Sequence, residues 1–396
     1  MKRVLLEDVS SQPSKNFLTF FERLNFIKKY EVLYYPTAIW LVTFFSTIIC
    51  VFISKILMSS VNHSSTGFFG MDGLFFLHIA EFGYTRYSLT PFFPLLPILM
   101  RLLHNFTQLS FETCGFIIVN VFYWFAVIIF YKLLIEKMEL NISRKALWLL
   151  ALFPPAFFFN VLYTESLTLF TTILFFYFLN RNNWYKAMVS GFFAGIAHTL
   201  GVILAPAGLW YLVAKRKEIS FASFWIRFSS LGIIGAGLLA YMVFLQCHFH
   251  NPLSFLLAEK LWGRTPTIPV ISVLINFKNF IIDHPEGLTT DILWNTVNGF
   301  CTLTMTLMVF IALWSYRHHN LITPELKIFF LLTFLASICS GANHGSLQSY
   351  GRFMSVLFPG FIIWADKFGN NSTFLFALAI MIPLKMVLCI LFSCSY

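Results

Sequence analysis

Residues 40–57 read WLVTFFSTIICVFISKIL, an apolar run whose one charged side chain is Lys55. A second such run, FIIVNVFYWFAVIIFYKLL, occupies residues 116–134, and similar windows recur from Thr37 almost to the C-terminus. A transmembrane helix needs about 20 apolar residues, whereas a barrel strand alternates apolar and polar positions over about ten. Because these runs are continuous, they predict α-helices that span a bilayer.

The composition of the 396-residue chain leads to the same prediction. Hydrophobic residues make up 58% of it and charged residues only 11%, too little polar surface to cover a globule in water. We therefore expect an all-α, polytopic transmembrane protein with about 8–10 membrane segments. The formal charge of +10 does not indicate nucleic-acid binding, because Lys and Arg are scattered at the ends of apolar segments, where they act as topology signals.

These positive charges predict the orientation of the chain. The tail, residues 1–37, is rich in Lys and Arg, so we place the N-terminus in the cytosol. No cleaved signal peptide is evident, and the first span serves as an uncleaved anchor. Residues 38–396 are predicted to form a single multi-span membrane domain. Its lumenal loops are expected at about 59–111, 247–291 and 343–352.

Three apolar segments are interrupted. Prolines break residues 89–104, which predicts a re-entrant or interfacial segment and not a span. Residues 146–180 and 187–214 have basic groups at both ends and a polar centre, which predicts two hairpins of short helices with lumenal tips. This topology gathers four polar clusters on one side of the membrane: Asp72 with Glu81, Tyr163 with Glu165, His198, and His344 with Arg352.

Asp72 is the first candidate catalytic residue. A carboxylate at a membrane boundary is energetically costly unless it is solvated, paired with a cation or required for function. It is either an exposed loop acid or helix N-cap, or a general base that takes a proton from an attacking hydroxyl. His78 and Glu81 lie one or two helical turns beyond it. They could bind a substrate phosphate or hold Asp72 in place. Alternatively, the two side chains simply pair with each other on the protein surface and have no functional role.

Glu165 and Arg352 are candidates for similar reasons. Glu165 lies in the middle of a predicted hairpin, where a charge needs a partner or a water-filled cavity. Arg352 begins a predicted lumenal helix, where its planar fork could pair with a phosphate or snorkel to lipid headgroups. We expect no metal site, because the His78 and Glu81 spacing lacks further ligands nearby and the cysteines show no metal-binding pattern.

Two longer motifs carry a resemblance to a known family. The stretch MDGLFFLHIAEFGY at residues 71–84, followed by FFPLLP at 92–97, resembles the WDxx(F/Y)xxIAExGY…FFPxxP signature of the GPI mannosyltransferase 2 family. Residues 153–170, FPPAFFFNVLYTESLTLF, are similar to that family's SPAxxFxxxYSEALF segment. The QSYGRF stretch at 348–353 is similar to its late arginine motif.

The resemblance implies a GT-C type glycosyltransferase of the endoplasmic reticulum membrane. Such an enzyme transfers an α-1,6-linked mannose, the second of the anchor, from dolichyl phosphate mannose to the mannosyl-glucosaminyl-phosphatidylinositol precursor on the lumenal side. It implies no cofactor or metal, and no nucleic acid as partner; a small membrane partner subunit stays open. The family's acid falls on Asp72, as the base that activates the acceptor 6-hydroxyl, while Arg352 or His78 would stabilise the leaving phosphate.

The sequence departs from the family pattern at two places. Met71 replaces the usual tryptophan, and His198-Thr-Leu-Gly201 replaces an RSNG motif, which removes a permanent positive charge from a substrate-binding position. Three alternatives stay open: a transporter or channel, a non-catalytic subunit, and a related dolichyl-phosphate-sugar-dependent glycosyltransferase with another acceptor. The absence of an inverted repeat argues against a transporter, and the intact Asp72 argues against a non-catalytic subunit.

Overall fold

The computed structural model describes residues 15–60, 66–266, 290–314, 322–342 and 349–394. In chain order the α-helices of these residues are α1 (Lys15–Ser60), α2 (Asp72–Phe82), α3 (Leu95–Thr107), α4 (Phe111–Ile135), α5 (Leu140–Leu152), α6 (Glu165–Asn180), α7 (Trp184–Ala197), α8 (Leu204–Ala214), α9 (Phe221–Ser230), α10 (Gly232–Phe249), α11 (Ser254–Ala258), α12 (Thr290–Trp314), α13 (Pro324–Cys339), α14 (Tyr350–Ser355), α15 (Phe358–Lys367) and α16 (Asn371–Cys394). The two short strands are β1 (Arg264–Pro266) and β2 (Ser340–Ala342), which pair antiparallel with Arg264 opposite Ala342.

Long apolar helices dominate this architecture, which confirms the predicted polytopic helical membrane fold. Among the described residues, five helical stretches are long and apolar enough to cross a bilayer: Tyr30–Ser59, Phe111–Ile135, Phe221–Phe249, Thr296–Trp314 and Asn371–Cys394. The shorter apolar helices are Glu165–Asn180 and Thr199–Ala214. The total of 8–10 segments and the orientation of the chain stay predictions.

Helix α3 contains most of the proline-broken segment 89–104. It has 13 residues, so at a rise of 1.5 Å per residue it is about 20 Å long. The hydrocarbon core is about 30 Å thick. The length of α3 therefore fits the interfacial or re-entrant interpretation of this segment.

The first predicted hairpin breaks where the sequence indicated, but its centre is buried. Helix α5 ends at Leu152, because Pro154 and Pro155 disfavour its continuation, and a 3₁₀ segment, Pro154–Phe159, follows. Helix α6 then starts at Glu165. The polar YTES stretch, which leads into α6, is buried: only 4% of the Glu165 surface is accessible. The second hairpin breaks at His198, between α7 and α8.

The buried YTES stretch lies where two hydrophobic clusters meet. Tyr163 belongs to the larger cluster, to which α1, α4 to α8, α10 and α12 to α16 contribute. Leu162 and Leu167 belong to the smaller one, built around α2, α3 and the C-terminal half of α10. The polar residues of the stretch are therefore fixed by packing on both sides. His344 and parts of all three predicted lumenal loops lie outside the described residues.

Candidate functional site

Three helix ends bring charged side chains together. Asp72 and Glu165 lie in the first turns of α2 and α6, and Arg352 lies in the last turn of α14. The N-terminal end of a helix favours an anion and the C-terminal end favours a cation, because the peptide dipoles align along the axis. Each charge of this cluster therefore has the sign that its own helix favours.

Arg352 bridges the two carboxylates. Its Nη1 lies 2.5 Å from Asp72 Oδ2, and its Nε lies 3.0 Å from Glu165 Oε1. The exposed fraction of the side chain is 28% for Asp72, 10% for Arg352 and 5% for Glu165. Asp72 is thus the carboxylate that a substrate can reach, while Glu165 holds the guanidinium from the protein interior.

Tyr163 ties the YTES stretch to the loop before α2. Its hydroxyl accepts a hydrogen bond from the Asp72 backbone N–H at 3.1 Å and donates one to the Gly70 carbonyl at 3.4 Å. The Arg352 Cζ lies 4.9 Å from the centre of the Tyr163 ring, within the range of a cation–π interaction. The aromatic side chain therefore fixes both partners of the Asp72–Arg352 ion pair.

The backbone immediately before Asp72 is strained. Met71 has a φ of 51° and a ψ of −117°, a combination that L-residues other than glycine rarely adopt. Such a conformation costs about 1–3 kcal/mol and persists where the surrounding structure enforces it. Here the hydrogen bonds of Tyr163 hold the residues on either side of Met71. This strained turn sets the direction in which α2 presents Asp72.

Helix α2 is anchored at its other end by Arg101 of α3. The Arg101 Nε donates to the Ala80 carbonyl at 2.8 Å, and its Nη2 to the Ile79 carbonyl at 3.4 Å. Both carbonyls belong to the last turn of α2, where helix carbonyls lack intrahelical partners; that of Ile79 also accepts from the Gly83 N–H at 2.9 Å. Arg101 thus satisfies the C-terminus of the helix that starts with Asp72.

Phe353 forms the rim of the site, next to Arg352. The centre of its ring lies 5.2 Å from Arg352 Cζ and 5.4 Å from Arg264 Cζ. The imidazole of His198 packs edge-on against the same ring at 5.8 Å between centroids. His198 Nδ1 accepts a hydrogen bond from the Leu200 N–H at 3.2 Å, so the ring proton lies on Nε2 when the imidazole is neutral.

Arg264 and Glu259 are members of this region that the sequence did not point to. The Arg264 Nη1 lies 3.4 Å from Glu259 Oε2, and its Nη2 donates to Ser349 Oγ at 3.2 Å. Burial raises the pKa of the Glu259 carboxyl, while the Arg264 and Arg352 guanidinium groups act in the opposite direction. Glu259 begins a short 3₁₀ helix, Glu259–Trp262, directly after α11, and Arg264 is the first residue of β1. The one signal in the sequence was a short charged stretch, EKLWGR, in an apolar context.

His78 and Glu81 do not join this cluster. Helical geometry puts their Cα atoms about 9 and 13 Å along α2 from that of Asp72. The His78 Nε2 is 2.7 Å from Thr85 Oγ1, and its ring packs on Phe82 at 5.1 Å. Glu81 is exposed. The structure therefore brings Asp72, Glu165, Arg352 and His198 together and leaves these two at the far end of α2.

The described residues contain no group of three or more His, Cys, Asp or Glu side chains that could hold a metal ion. What the cluster does offer is a reachable carboxylate beside a fixed guanidinium. The carboxylate can accept a proton, and the guanidinium can stabilise an anion that develops within hydrogen-bonding distance. This pair suits a reaction in which a hydroxyl attacks and an anionic group leaves.

No protein family and no curated protein matches this sequence. Among solved structures, the chain is similar to the oligosaccharyltransferase of Archaeoglobus fulgidus, crystallised with a tethered acceptor peptide that contains an NVT sequon. The TM-score is 0.48 at 14% sequence identity, over 91% of this chain and 55% of that one. The chain thus spans about half the length of the protein it matches.

Proposed function

We propose that this chain is a GT-C type glycosyltransferase that adds the second, α-1,6-linked mannose to the GPI precursor on the lumenal side of the endoplasmic reticulum membrane, with dolichyl phosphate mannose as donor. The observation that carries the proposal is the ion pair between Arg352 and the accessible Asp72. Both residues lie in stretches that resemble the GPI mannosyltransferase 2 signature, 280 positions apart in sequence. Two independently recognised motifs therefore meet at one ion pair.

Asp72 is the general base in this proposal. Its carboxylate takes the proton of the acceptor 6-hydroxyl as the oxygen forms a bond to C1 of mannose. The bond between C1 and the phosphate oxygen breaks, and its electron pair leaves with dolichyl phosphate. A positioned base of this kind contributes about 10²–10⁴-fold to the rate. The 28% exposure of the Asp72 side chain lets an acceptor hydroxyl approach it.

Arg352 stabilises the leaving phosphate. Its planar fork matches phosphate oxygens, and a fixed cation in a site of low water content stabilises developing negative charge strongly. Glu165 acts as a positioning residue, because its buried carboxylate pairs with the Arg352 Nε. This contact orients the guanidinium so that its other nitrogens point toward Asp72 and the substrate. His198, on the Phe353 rim, is a substrate-binding residue in this arrangement. His78 and Glu81 have no part in it.

Complementation tests the assignment. Cells that lack the second GPI mannosyltransferase are transfected with the wild-type chain, with Asp72→Asn, or with Glu112→Gln, and a GPI-anchored protein is counted at the cell surface. Glu112 is a matched control, because it is an exposed acid in the first turn of α4, just as Asp72 is an acid in the first turn of α2.

Rescue by the wild type and by Glu112→Gln, together with failure of an equally abundant Asp72→Asn protein, supports both the reaction and the base. If the wild type reaches the endoplasmic reticulum and does not rescue, the assignment of the acceptor is wrong. If Asp72→Asn rescues fully, Asp72 is not the base.

A further inference from the structure

Arg264 is a second cation beside the proposed phosphate position, and it comes from a different part of the chain. The antiparallel pairing of β1 with β2 joins its backbone to the residues that follow α13. Its side chain reaches Ser349, directly before α14, and the Phe353 ring. Since Arg352 lies on the same ring, the two guanidinium carbons are no more than about 11 Å apart, and both are in cation–π range of it.

The two arginines are held very differently. Arg352 is 10% exposed: its Nη1 donates a hydrogen bond to Asp72 Oδ2 at 2.5 Å, and Glu165 Oε1 forms an ion pair with its Nε at 3.0 Å. Arg264 is 23% exposed, and within the described part of the chain its carboxylate partner is Glu259, at 3.4 Å. Charge-assisted N–H···O bonds of full strength are about 2.7–2.9 Å long. Arg264 therefore has the weaker ion pair and the more accessible guanidinium, as expected for a group that exchanges its partner.

The charge of the cluster also favours an exchange. Among the residues that the structure describes, three carboxylates, Asp72, Glu165 and Glu259, face two guanidinium groups. An anionic lipid phosphate cannot be added to this arrangement without repulsion unless one carboxylate withdraws from its arginine or is neutralised. Glu259 is the member best suited to this, because its side chain is the most exposed of the three, at 30%, and its ion pair with Arg264 is the longest, at 3.4 Å.

On the basis of the proposed function, we propose that Arg264 is a second phosphate-binding residue of the donor site: it rests on Glu259 in the substrate-free protein and transfers to the phosphate of the lipid donor when the donor binds. No covalent bond changes in this step. The fork of Arg264 leaves the Glu259 carboxylate and donates to phosphate oxygens instead. Burial raises the pKa of the Glu259 carboxyl, and the Arg264 guanidinium lowers it; the side chain is 30% exposed, so the released carboxylate remains in contact with water.

The exchange predicts opposite effects for the two partners of the ion pair. Arg264→Gln removes a phosphate ligand, whereas Glu259→Gln removes the group that competes with the phosphate for Arg264. Purified variants are compared in the KM for dolichyl phosphate mannose, the KM for the acceptor, and the Kd for dolichyl phosphate alone. Lys260→Gln is the control, because Lys260 is the exposed neighbour of Glu259 on the same segment.

We expect Arg264→Gln to raise the donor KM and the Kd for dolichyl phosphate at least about tenfold, as for loss of a hydrogen bond to a charged group. Glu259→Gln should lower both values severalfold, and the double variant should behave like Arg264→Gln. The acceptor KM and the Lys260→Gln control should not change. A purely structural ion pair would instead make both single variants worse, and that result would overturn the inference.

Separate outcomes report on the inference and on the proposed function. If the wild type transfers mannose and Arg264→Gln binds dolichyl phosphate as the wild type does, the inference fails while the function stands. If the wild type transfers no mannose but binds dolichyl phosphate through Arg264, the function fails while the phosphate site stands. Should Arg264→Gln not fold, Glu259→Gln decides: tighter binding of dolichyl phosphate supports the exchange, and unchanged or weaker binding contradicts it.

Discussion

The side chain of Arg352 is the centre of the candidate site, because two carboxylates of different accessibility depend on it. Replacement by glutamine would leave Glu165 buried without a cation, and breaking a buried ion pair in this way costs about 3–5 kcal/mol. We predict that Arg352→Gln lowers the melting temperature in detergent and abolishes transfer. Arg352→Lys should retain most of the stability, since a charge remains, yet lose at least about tenfold in turnover, because an ammonium lacks the fork.

The comparison of the two Arg352 variants separates a structural role from a catalytic one. Thermal unfolding of the purified proteins gives stability, and the turnover of folded protein gives catalysis. Equal turnover for Arg352→Lys and the wild type would show that the guanidinium group of Arg352 does not contact the leaving phosphate.

Sequence alone identified Asp72, Glu165 and Arg352 as candidates, but it could not pair them. Each carries its own signal, namely a charge at the edge of an apolar segment within a recognisable motif. The contact between Asp72 and Arg352 joins residues 280 positions apart, and no periodicity encodes such a distance. Arg264 and Glu259 were missed altogether, because an arginine and an acid in a loop are usually solvated and only the β1–β2 pairing brings them to the site.

The packing of helices α7 and α10 depends on glycine. A Cβ at Gly237 would lie 2.3 Å from the Phe192 carbonyl oxygen, and one at Gly195 would lie 2.9 Å from the Ile234 carbonyl oxygen. These contacts are with backbone atoms, which cannot rotate away. Small residues at such crossings allow the close approach from which membrane helices gain their packing energy.

We predict that Gly237→Ala separates α7 from α10 and destabilises the protein by about 1–3 kcal/mol, the usual cost of overpacking. Gly235→Ala is the matched control on the same helix, since a Cβ there meets nothing within 4 Å among the described residues. It should leave the melting temperature unchanged or raise it slightly, because alanine favours a helix more than glycine does. Equal melting temperatures for the two variants would contradict the close contact.

Helix boundaries were predictable where proline or a polar break interrupts an apolar run. The tertiary contacts of the residues at these boundaries were not predictable. The sequence located the break between α5 and α6 and indicated that Glu165 needs a partner or a water-filled cavity, but it could not name the partner. Polar residues at a turn usually face water. Here the Tyr163 hydroxyl bonds to the backbone at Gly70 and Asp72, and Glu165 finds a cation. Partners from distant segments thus offset the cost of burying these polar groups. A local sequence pattern contains no information about such partners.

For the molecule as a whole, the prediction still to be tested is its orientation. Positive charges predict that the N-terminus and the turn between α4 and α5 lie in the cytosol and that the candidate site lies on the lumenal side. We predict that in sealed microsomes an epitope tag inserted after Met138 is cut by added protease, whereas a tag inserted after Gln108, at the other end of α4, is protected until detergent is added. The reverse pattern would invert the topology and exclude a lumenal reaction.

The most direct test of the central claim is transfer by the purified protein in lipid nanodiscs. Radiolabelled dolichyl phosphate mannose and the singly mannosylated GPI precursor are supplied, and the rate is compared for the wild type, Asp72→Asn and Glu112→Gln. If Asp72 is the base of the mannosyl transfer, the wild type and Glu112→Gln form the dimannosylated product at similar rates, while folded Asp72→Asn is slower by at least about 10²-fold. Transfer by Asp72→Asn at the wild-type rate would show that Asp72 is not the base, and a folded wild-type protein that forms no product would show that the chain does not catalyse this transfer.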